Sequence, residues 1–417
     1  VTSGATAAST SEVSTETQIA QITALRYPTK RDEAWRHAPH TVLGRLSFGS
    51  PSAIAGEVPW EIDAQIPALD GPRIVIVNGV VDHARSDITA LQVGLDLSTT
   101  DHRTGRVADR IAVDAGSGIE HVADVFVALN VAFSGDRVGI HVAPGRHLDA
   151  PIHIVMVSTS AGTHNTSCSK LAIQLDAGSS AKVVETRLGE SSEFGGANTR
   201  TTIALGDNTT LDHIIIQDVP ATHVHLSRTE VTQGAQSELR ARLFNLGAAY
   251  GRLVYEVQLA GEGARADLSG LYFGSGDQIL DQQINVIHAA ANCTSRQAFR
   301  GVLDDESTGV FNGAIDVRPG ADGTDAAQSN DNLLLSNRAE ANTQPRLEIL
   351  ADDVACKHGA TVGQLDDEAL YYMRSRGIPA TEARRLLING FADQAVHDVD
   401  IEVLRTWIAQ RLGHDDD

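Results

Sequence analysis

"LAIQLDAGSSAKVVE" at residues 171–185, "TIALGDNTTLDHIII" at residues 202–216 and "RTEVTQGAQSELRAR" at residues 228–242 repeat one pattern. Each is an alternating apolar and polar run, a Gly among small or polar residues, and a second alternating run. Alternation at period two marks a half-buried strand, and Gly with Asp, Asn or Ser marks a tight turn. Gly178, Gly206 and Gly234 are spaced 28 residues apart. "YEVQLAGEGARADLS" at residues 255–269 keeps step with a turn at Gly261 to Gly263, and "AIDVRPGADGTDAAQ" at residues 314–328 turns near Gly320. A unit of two strands and a turn cannot bury its apolar face alone, whereas a stack of such units can. The repeat predicts a mainly β protein built on a β-solenoid, with strand edges covered at each end. An antiparallel sandwich of hairpins uses the same turn residues and stays open at this level.

Working outward, 417 residues are more than one ordinary core needs, which suits several domains or an elongated repeat. Aromatic residues make up only 4 % while Gly numbers 37, which fits stacked small and β-branched side chains and not a base-stacking platform. The net charge of -21 repels phosphate backbones and anionic lipid, so neither nucleic acid nor membrane is expected as a partner. Cys168, Cys293 and Cys356 are odd in number and far apart, a poor disulfide framework, and no C-x-x-C pattern supplies a self-contained zinc or cluster site. No apolar stretch resembles a signal peptide or a membrane span, and a reducing cytoplasm is the expected compartment.

Four regions are expected. Residues 1–14 read as a disordered tail. Residues 15–119 form an N-terminal α/β region, with a helix over Ile19, Ile22 and Leu25, a break at Pro28, a charged segment around Trp35, and a strand in "RIVIVNGVV" from Arg73 that enters an Asn-Gly turn. Residues 120–363 are the solenoid core. Residues 364–417 form a helical domain: Asp366 caps "DEALYYMRSR", Gly377 stops it, and "TEARRLLINGFADQAV" and "DIEVLRTWIAQRL" follow. Leu404, Trp407, Ile408 and Leu412 make one apolar stripe, suited to packing within the chain or to docking a partner.

The chemistry-bearing stretch is "LEILADDVACKHGATVGQLDDEALYYMRSRGI", residues 347–378. In a strand Cys356 and His358 point to one face and Lys357 to the other. Thiolate and imidazole are both ligands for iron, zinc or a cluster iron. Two ligands do not close a site, so a partner chain, a second face or water has to complete it. The same pair also reads as a small buried thiol and a hydrogen-bonded imidazole in a packed strand. No G-x-x-x-x-G-K-[ST], G-x-S-x-G, H-E-x-x-H or EF-hand pattern is present, so no nucleotide is expected on this chain and no catalytic residue is assigned. "EFGGAN" around Gly195 reads as a loop. Asp304, Asp305 and Glu306, and again Asp352 and Asp353, sit beside turn signals and read as solvated turn positions; paired carboxylates of a β-helix carbohydrate lyase or hydrolase are the alternative. His223 and His225 pair at i, i+2 and could share a surface, without a third ligand in view.

The 347–378 stretch resembles the signature of the SufB/SufD family, scaffold proteins of the Suf iron–sulfur cluster assembly system. "TSRQAFRGVLDDESTGVFNGAIDVRPGADGTDAAQSNDNLLLSN" from Thr294 is similar to the same family's core, and "PTKRDEAWRH" from Pro28 resembles an N-terminal motif of its SufD branch. The likeness covers most of the chain and is strongest over residues 294–392. SufB-type chains carry His-Glu-Ala-Thr-Thr where this one reads "HGATVG", and a functional cysteine where Asn330 stands. "IHAAANCTS" leaves His288 in place of a histidine-rich run, and Ala327 stands where a His is common. The resemblance implies a right-handed parallel β-helix flanked by helical regions. It implies a non-ATPase subunit that pairs through its β-helix ends with a SufB-like paralogue. Its C-terminal helices would dock the SufC ATPase, with Tyr371, Tyr372, Arg374 and Arg376 as candidates. It further implies a transient iron–sulfur cluster or iron at the subunit interface, with His358 as the assembly residue and Cys356 as its neighbour. A homodimer of the isolated chain, and a purely structural role with all chemistry in the partner, stay open.

Overall fold

Each repeat unit becomes one coil of a solenoid. The computed structural model describes residues 26–49, 58–87, 95–100, 124–159, 165–190 and 193–412. The expected tail and the helix over Ile19 to Leu25 lie outside the described residues. The strands, in chain order, are β1 (Arg73–Val77), β2 (Val80–Val81), β3 (Leu95–Thr100), β4 (Arg137–Val142), β5 (Ile152–Ser158), β6 (Thr166–Leu175), β7 (Ser180–Gly189), β8 (Gly195–Leu205), β9 (Thr210–Asp218), β10 (His223–Gln233), β11 (Glu238–Asn245), β12 (Tyr250–Leu259), β13 (Arg265–Gly274), β14 (Ile279–His288), β15 (Thr294–Leu303), β16 (Thr308–Val317), β17 (Thr324–Leu334), β18 (Glu340–Ile349) and β19 (Val354–Gln364). The helices are α1 (His40–Leu43), α2 (Trp60–Asp63), α3 (Val125–Phe133), α4 (Asp367–Ser375), α5 (Ala380–Val396) and α6 (Glu402–Leu412).

From β4 onward consecutive strands go to opposite sheets, and each pairs in parallel with the strand two places on. That excludes the hairpin sandwich and makes a parallel β-solenoid of about seven turns. Register partners are close to one repeat apart, such as Thr210 with Glu238 and Glu238 with Arg265. The turns work as the sequence suggests: Gly178, Gly263, Gly320 and Gly323 hold positive φ, as do Asn208, Gln236, Asn292 and Asp305 at other corners. Asn78 and Gly79 both take positive φ and join β1 to β2 in a tight antiparallel hairpin.

Inward residues alternate along the strands from β4 onward and stack from coil to coil. The lumen is aliphatic at the N-terminal end, with Ile140, Ile152, Ile154 and Ile173 sealed from solvent, and takes rings further on, where Phe299 and Phe311 lie 5.3 Å apart. Burial of each such side chain contributes about 1.5–3 kcal/mol. "EFGGAN" is corrected here. Gly195 to Asn198 belong to β8, and the glycines are there because a Cβ at Gly195 would strike the His223 ring and one at Gly196 would strike Leu46. Helix α3, unanticipated in the sequence, packs on the outside near β6 and β8, capped by Asp124, which accepts from Phe126 N at 2.8 Å.

The C-terminal helices fold back along the outer face of the sheet containing β9, β11, β13 and β15. Leu404, Ile408 and Leu412 are buried there with Ile388, Ala392 and Ala395 against Ile214, Ile216, Phe244, Leu271 and Val302. The apolar stripe of α6 is thus spent within the chain. Arg300 fastens α5 by donating to the Phe391 carbonyl at 2.9 Å.

The ends of the stack differ. At the N-terminal side the sheets finish on the antiparallel strands β2 and β3. At the C-terminal side β18 pairs only with β16 and β19 only with β17. The expectation of covered edges at each end is corrected: among the described residues no strand pairs with the outer edges of β18 and β19, and the C-terminal helices pack beside the solenoid.

Candidate functional site

The uncovered coil is where Cys356 and His358 sit. β19 aligns Cys356 with Ala326 and His358 with Gln328 of β17. Both side chains take the inward parity, and Lys357 takes the outward one. Val354 and Cys356 pack beside Ile315, Val317, Ala321 and Ala326. His358 is exposed because no further coil covers it. Ile349 and Val362, inward by the same parity, are 40 % and 50 % exposed. The mouth is therefore an apolar rim carrying one thiol and one imidazole.

Cys356 alone of the three thiols reaches solvent. Its pKa is raised by partial burial and by Asp325, against a smaller opposing contribution from the Ala326 backbone. Burial pushes Cys168 up to about 12 and also raises Cys293. On the outer face Asp325 pairs with Arg296 at 2.5 Å, which lowers the Asp325 pKa. Among the described residues no three His, Cys, Asp or Glu side chains converge on a point that could hold a metal ion. Cys356 and His358 share the inner face of β19 as one thiol and one imidazole, with no third such side chain beside them among the described residues.

Other residues singled out in the sequence are placed differently. His223 and His225 do share one face of β10, but it is the inner one, where they are 3 % and 2 % exposed; a strand flanked on both sides by coils has no free inner face. His288 is buried, bonded through Nε2 to Ser295 Oγ at 2.8 Å, and burial pushes its pKa down to about 4. Asn330 is buried and donates to Tyr272 Oη at 3.0 Å, while Asn332 Nδ2 donates to Asn330 Oδ1 at 2.8 Å. Asp304, Asp305 and Glu306 occupy a turn, with Arg384 on Asp304 at 3.3 Å and Arg338 on Glu306.

The second set lies on α4, apart from the mouth. Asp366 accepts from Glu368 N at 2.9 Å and caps the helix, and Gly377 ends it with φ of 88°. Tyr371 and Tyr372 are 74 % and 59 % exposed. The Arg376 guanidinium lies 5.2 Å from the Tyr372 ring centre and donates to its hydroxyl at 3.2 Å. Arg374 is exposed on the same helix. Two exposed tyrosines and two arginines have the composition of a binding hot spot.

Sequence reasoning missed a polar network in the lumen. Glu185 accepts from Thr201 Oγ1 at 2.9 Å and from Arg187 at 2.6 Å, and is bonded to His213 Nε2 at 2.9 Å; His213 in turn meets Tyr255 Oη. Burial alone would raise Glu185, but Arg187 and His213 hold it down to about 2. Its signal was present: Glu185 and Arg187 continue the parity of Ala181 and Val183, the inward one. It also missed Gln297 and Gln328, buried side by side in the last coils.

Residues 156–391 match the family described as SUF system FeS cluster assembly, SufBD core domain. The chain is 33 % identical over 392 residues to the iron–sulfur cluster assembly protein SufD of Escherichia coli, covering 93 % of this chain and 88 % of that protein. It is 26 % identical over 401 residues to the SufBD family protein slr0076 of Synechocystis, covering 93 % and 87 %, and 28 % identical over 382 residues to the chloroplastic protein ABCI7 of Arabidopsis thaliana, covering 89 % and 78 %. Among the described residues no helix is long and apolar enough to cross a membrane.

Proposed function

Because this chain belongs to the SufBD family of iron–sulfur cluster assembly proteins, of the SufD type, we propose that it is the non-ATPase scaffold subunit that closes a nascent cluster site together with a SufB-like paralogue. The observation that carries this reading is the uncovered last coil. β18 and β19 offer unpaired backbone edges, an apolar rim, and two metal-binding side chains too few to hold a cluster alone. A second β-solenoid end of matching shape would satisfy the edges, bury the rim and add the missing ligands. The cluster is cargo, built at the seam and passed on. His358 would bind iron or hold a proton at its ring nitrogen, and Cys356 would offer a second ligand, its thiolate sulfur, once a cation lowers its pKa. The chain alone is proposed to catalyse nothing and to bind no nucleotide. α4 would dock the SufC-type ATPase through Tyr371, Tyr372, Arg374 and Arg376.

The test replaces His358 by Ala in the co-expressed complex and measures iron and acid-labile sulfide after anaerobic purification. An intact complex with at least a fivefold loss of both supports the reading; an intact complex that loads normally contradicts it. One observation favours a purely structural subunit instead. Asn330, at the position of a functional cysteine in relatives of the SufB type, is locked into the Tyr272 network as a packing amide. Normal loading in the His358→Ala complex would select that reading.

A further inference from the structure

The N-terminal motif "PTKRDEAWRH" takes no part in the role proposed above, yet the fold pins it to the solenoid. Asp32 accepts from Thr29 N at 2.7 Å and pairs with Arg26 at 2.5 Å, and a single 3-10 turn, Glu33–Trp35, follows. Arg252, ion-paired to Asp281, lies 4.0 Å from the Trp35 ring centre and donates to the Ala34 carbonyl at 2.8 Å. At the other end of the sheet face, Gln344 Nε2 of β18 donates to Glu33 Oε1 at 3.1 Å. Glu33 and Ala34 thereby wall a cavity of about 230 Å³ on the outer face of β14, β16 and β18. The rest of its lining is mainly two register rows, Gln283 with Asn312 and Gln344, and Asn285 with Ala314 and Arg346.

The cavity holds one carboxylate and one guanidinium that do not meet. Among the described residues neither Glu33 nor Arg346 makes an ion pair, and the Asn312 side chain makes no hydrogen bond. Asp316 feels Arg346 from a distance but is paired with Arg318 at 3.0 Å. Glu33 is tied to Gln344, and Arg346 stands two residues further along the same face of β18, about 7 Å away at strand rise. An α-amino acid carries its carboxylate and ammonium on one carbon, and with a charge-assisted hydrogen bond at each end it spans about 8 Å. A simple anion would leave Glu33 facing like charge, and a simple amine would do the same to Arg346; a dipolar ligand satisfies both. The volume is below the roughly 300–1,000 Å³ of pockets for larger ligands, which suits a molecule of this size.

We propose that this cavity binds a free α-amino acid, with Arg346 on the carboxylate, Glu33 on the ammonium and the Asn312 amide hydrogen-bonded to the ligand between them. Glu33 comes from the N-terminal motif and Arg346 from the strand that ends its sheet, so the bound amino acid clamps the motif to the last coil. The site lies on the outer face of the sheet and the candidate cluster ligands on the inner face of the other one, so the two stand or fall separately.

The experiment is calorimetric titration of the full-length chain with each of the twenty protein L-amino acids at pH 7.5. The expected result is saturable binding of at least one, with a dissociation constant below about 1 mM. Its decarboxylated amine and its N-acetyl derivative, which each lack one charge, should bind at least about tenfold more weakly. Arg346→Gln and Glu33→Gln should each weaken the amino acid by a similar factor; both side chains are exposed, and Glu33→Gln keeps an acceptor for Gln344. Asn312→Lys, which fills the cavity from β16, replaces either variant if it does not fold, and should abolish binding. Twenty flat titrations overturn the proposal. So does an N-acetyl derivative that binds as tightly as its parent, or wild-type affinity in any of these variants.

Discussion

Cys356 and His358 are separated by one residue, and everything that distinguishes them follows from the register of β19. Cys356 lies against Ala326 and is half covered, whereas His358 lies one rung beyond Gln328 and is open. The i, i+2 spacing was legible in the sequence because strand parity is local. Their exposure was not, since it depends on whether another coil follows. Gln328 was hidden for a related reason, because alternation separates two faces without saying which is inside. At this scale the exposure difference among thiols makes a prediction. Brief iodoacetamide treatment of the native chain, read by mass spectrometry, should modify Cys356 and spare Cys168 and Cys293, whose thiols are buried and hard to ionise. Equal labelling of all three would mean that α3 lifts from Cys168 and that the lumen around Cys293 opens on the timescale of the reaction.

Among the elements, the strands were readable because each coil spends a Gly or a positive-φ Asn at a corner, and the C-terminal helices because Asp366 and Gly377 mark the limits of the first. Helix α3 was not readable. "VFVALNVAF" is apolar nearly throughout and β-branched, so its composition fits a buried strand as well as a helix. What separates α4 from α5 and α6 is also tertiary: the latter two bury their stripes on the solenoid, and α4 keeps its tyrosines free. Replacing Tyr371 and Tyr372 together by Glu should therefore leave the melting temperature within about 2 °C of wild type, as surface changes usually do. The same variant should lose the co-purifying ATPase by at least tenfold. A variant that keeps the ATPase would move docking elsewhere on the chain.

For the whole molecule, the sealed lumen and sheet faces set the acid response. Burial pushes His153 down to about 3, with Arg73 adding to it, and His288 down to about 4, both from an ordinary value of 6.5. Below 6.5 the unfolded chain takes up these protons and the folded chain refuses them, so stability falls as pH drops from 6.5 towards 4. The slope is about 1.4 kcal/mol per pH unit for each such proton. Glu185, held at about 2 against 4.5, adds a further loss between those values. Urea midpoints at pH 7, 6 and 5 should decline before most carboxylates titrate, and His288→Gln should flatten the decline; a constant midpoint over that range would contradict the buried histidines. The larger claim is that the uncovered end of the solenoid is half of a shared site. It is tested most directly by anaerobic affinity purification of the tagged chain from its own host, wild type beside an Ile349→Lys, Val362→Lys double variant that charges the rim. The account predicts that the wild type brings down a paralogous solenoid and a P-loop ATPase, and that the variant keeps the ATPase and loses the paralogue. A variant that retains the paralogue at the wild-type level, or a wild-type chain that emerges with neither partner, would contradict it.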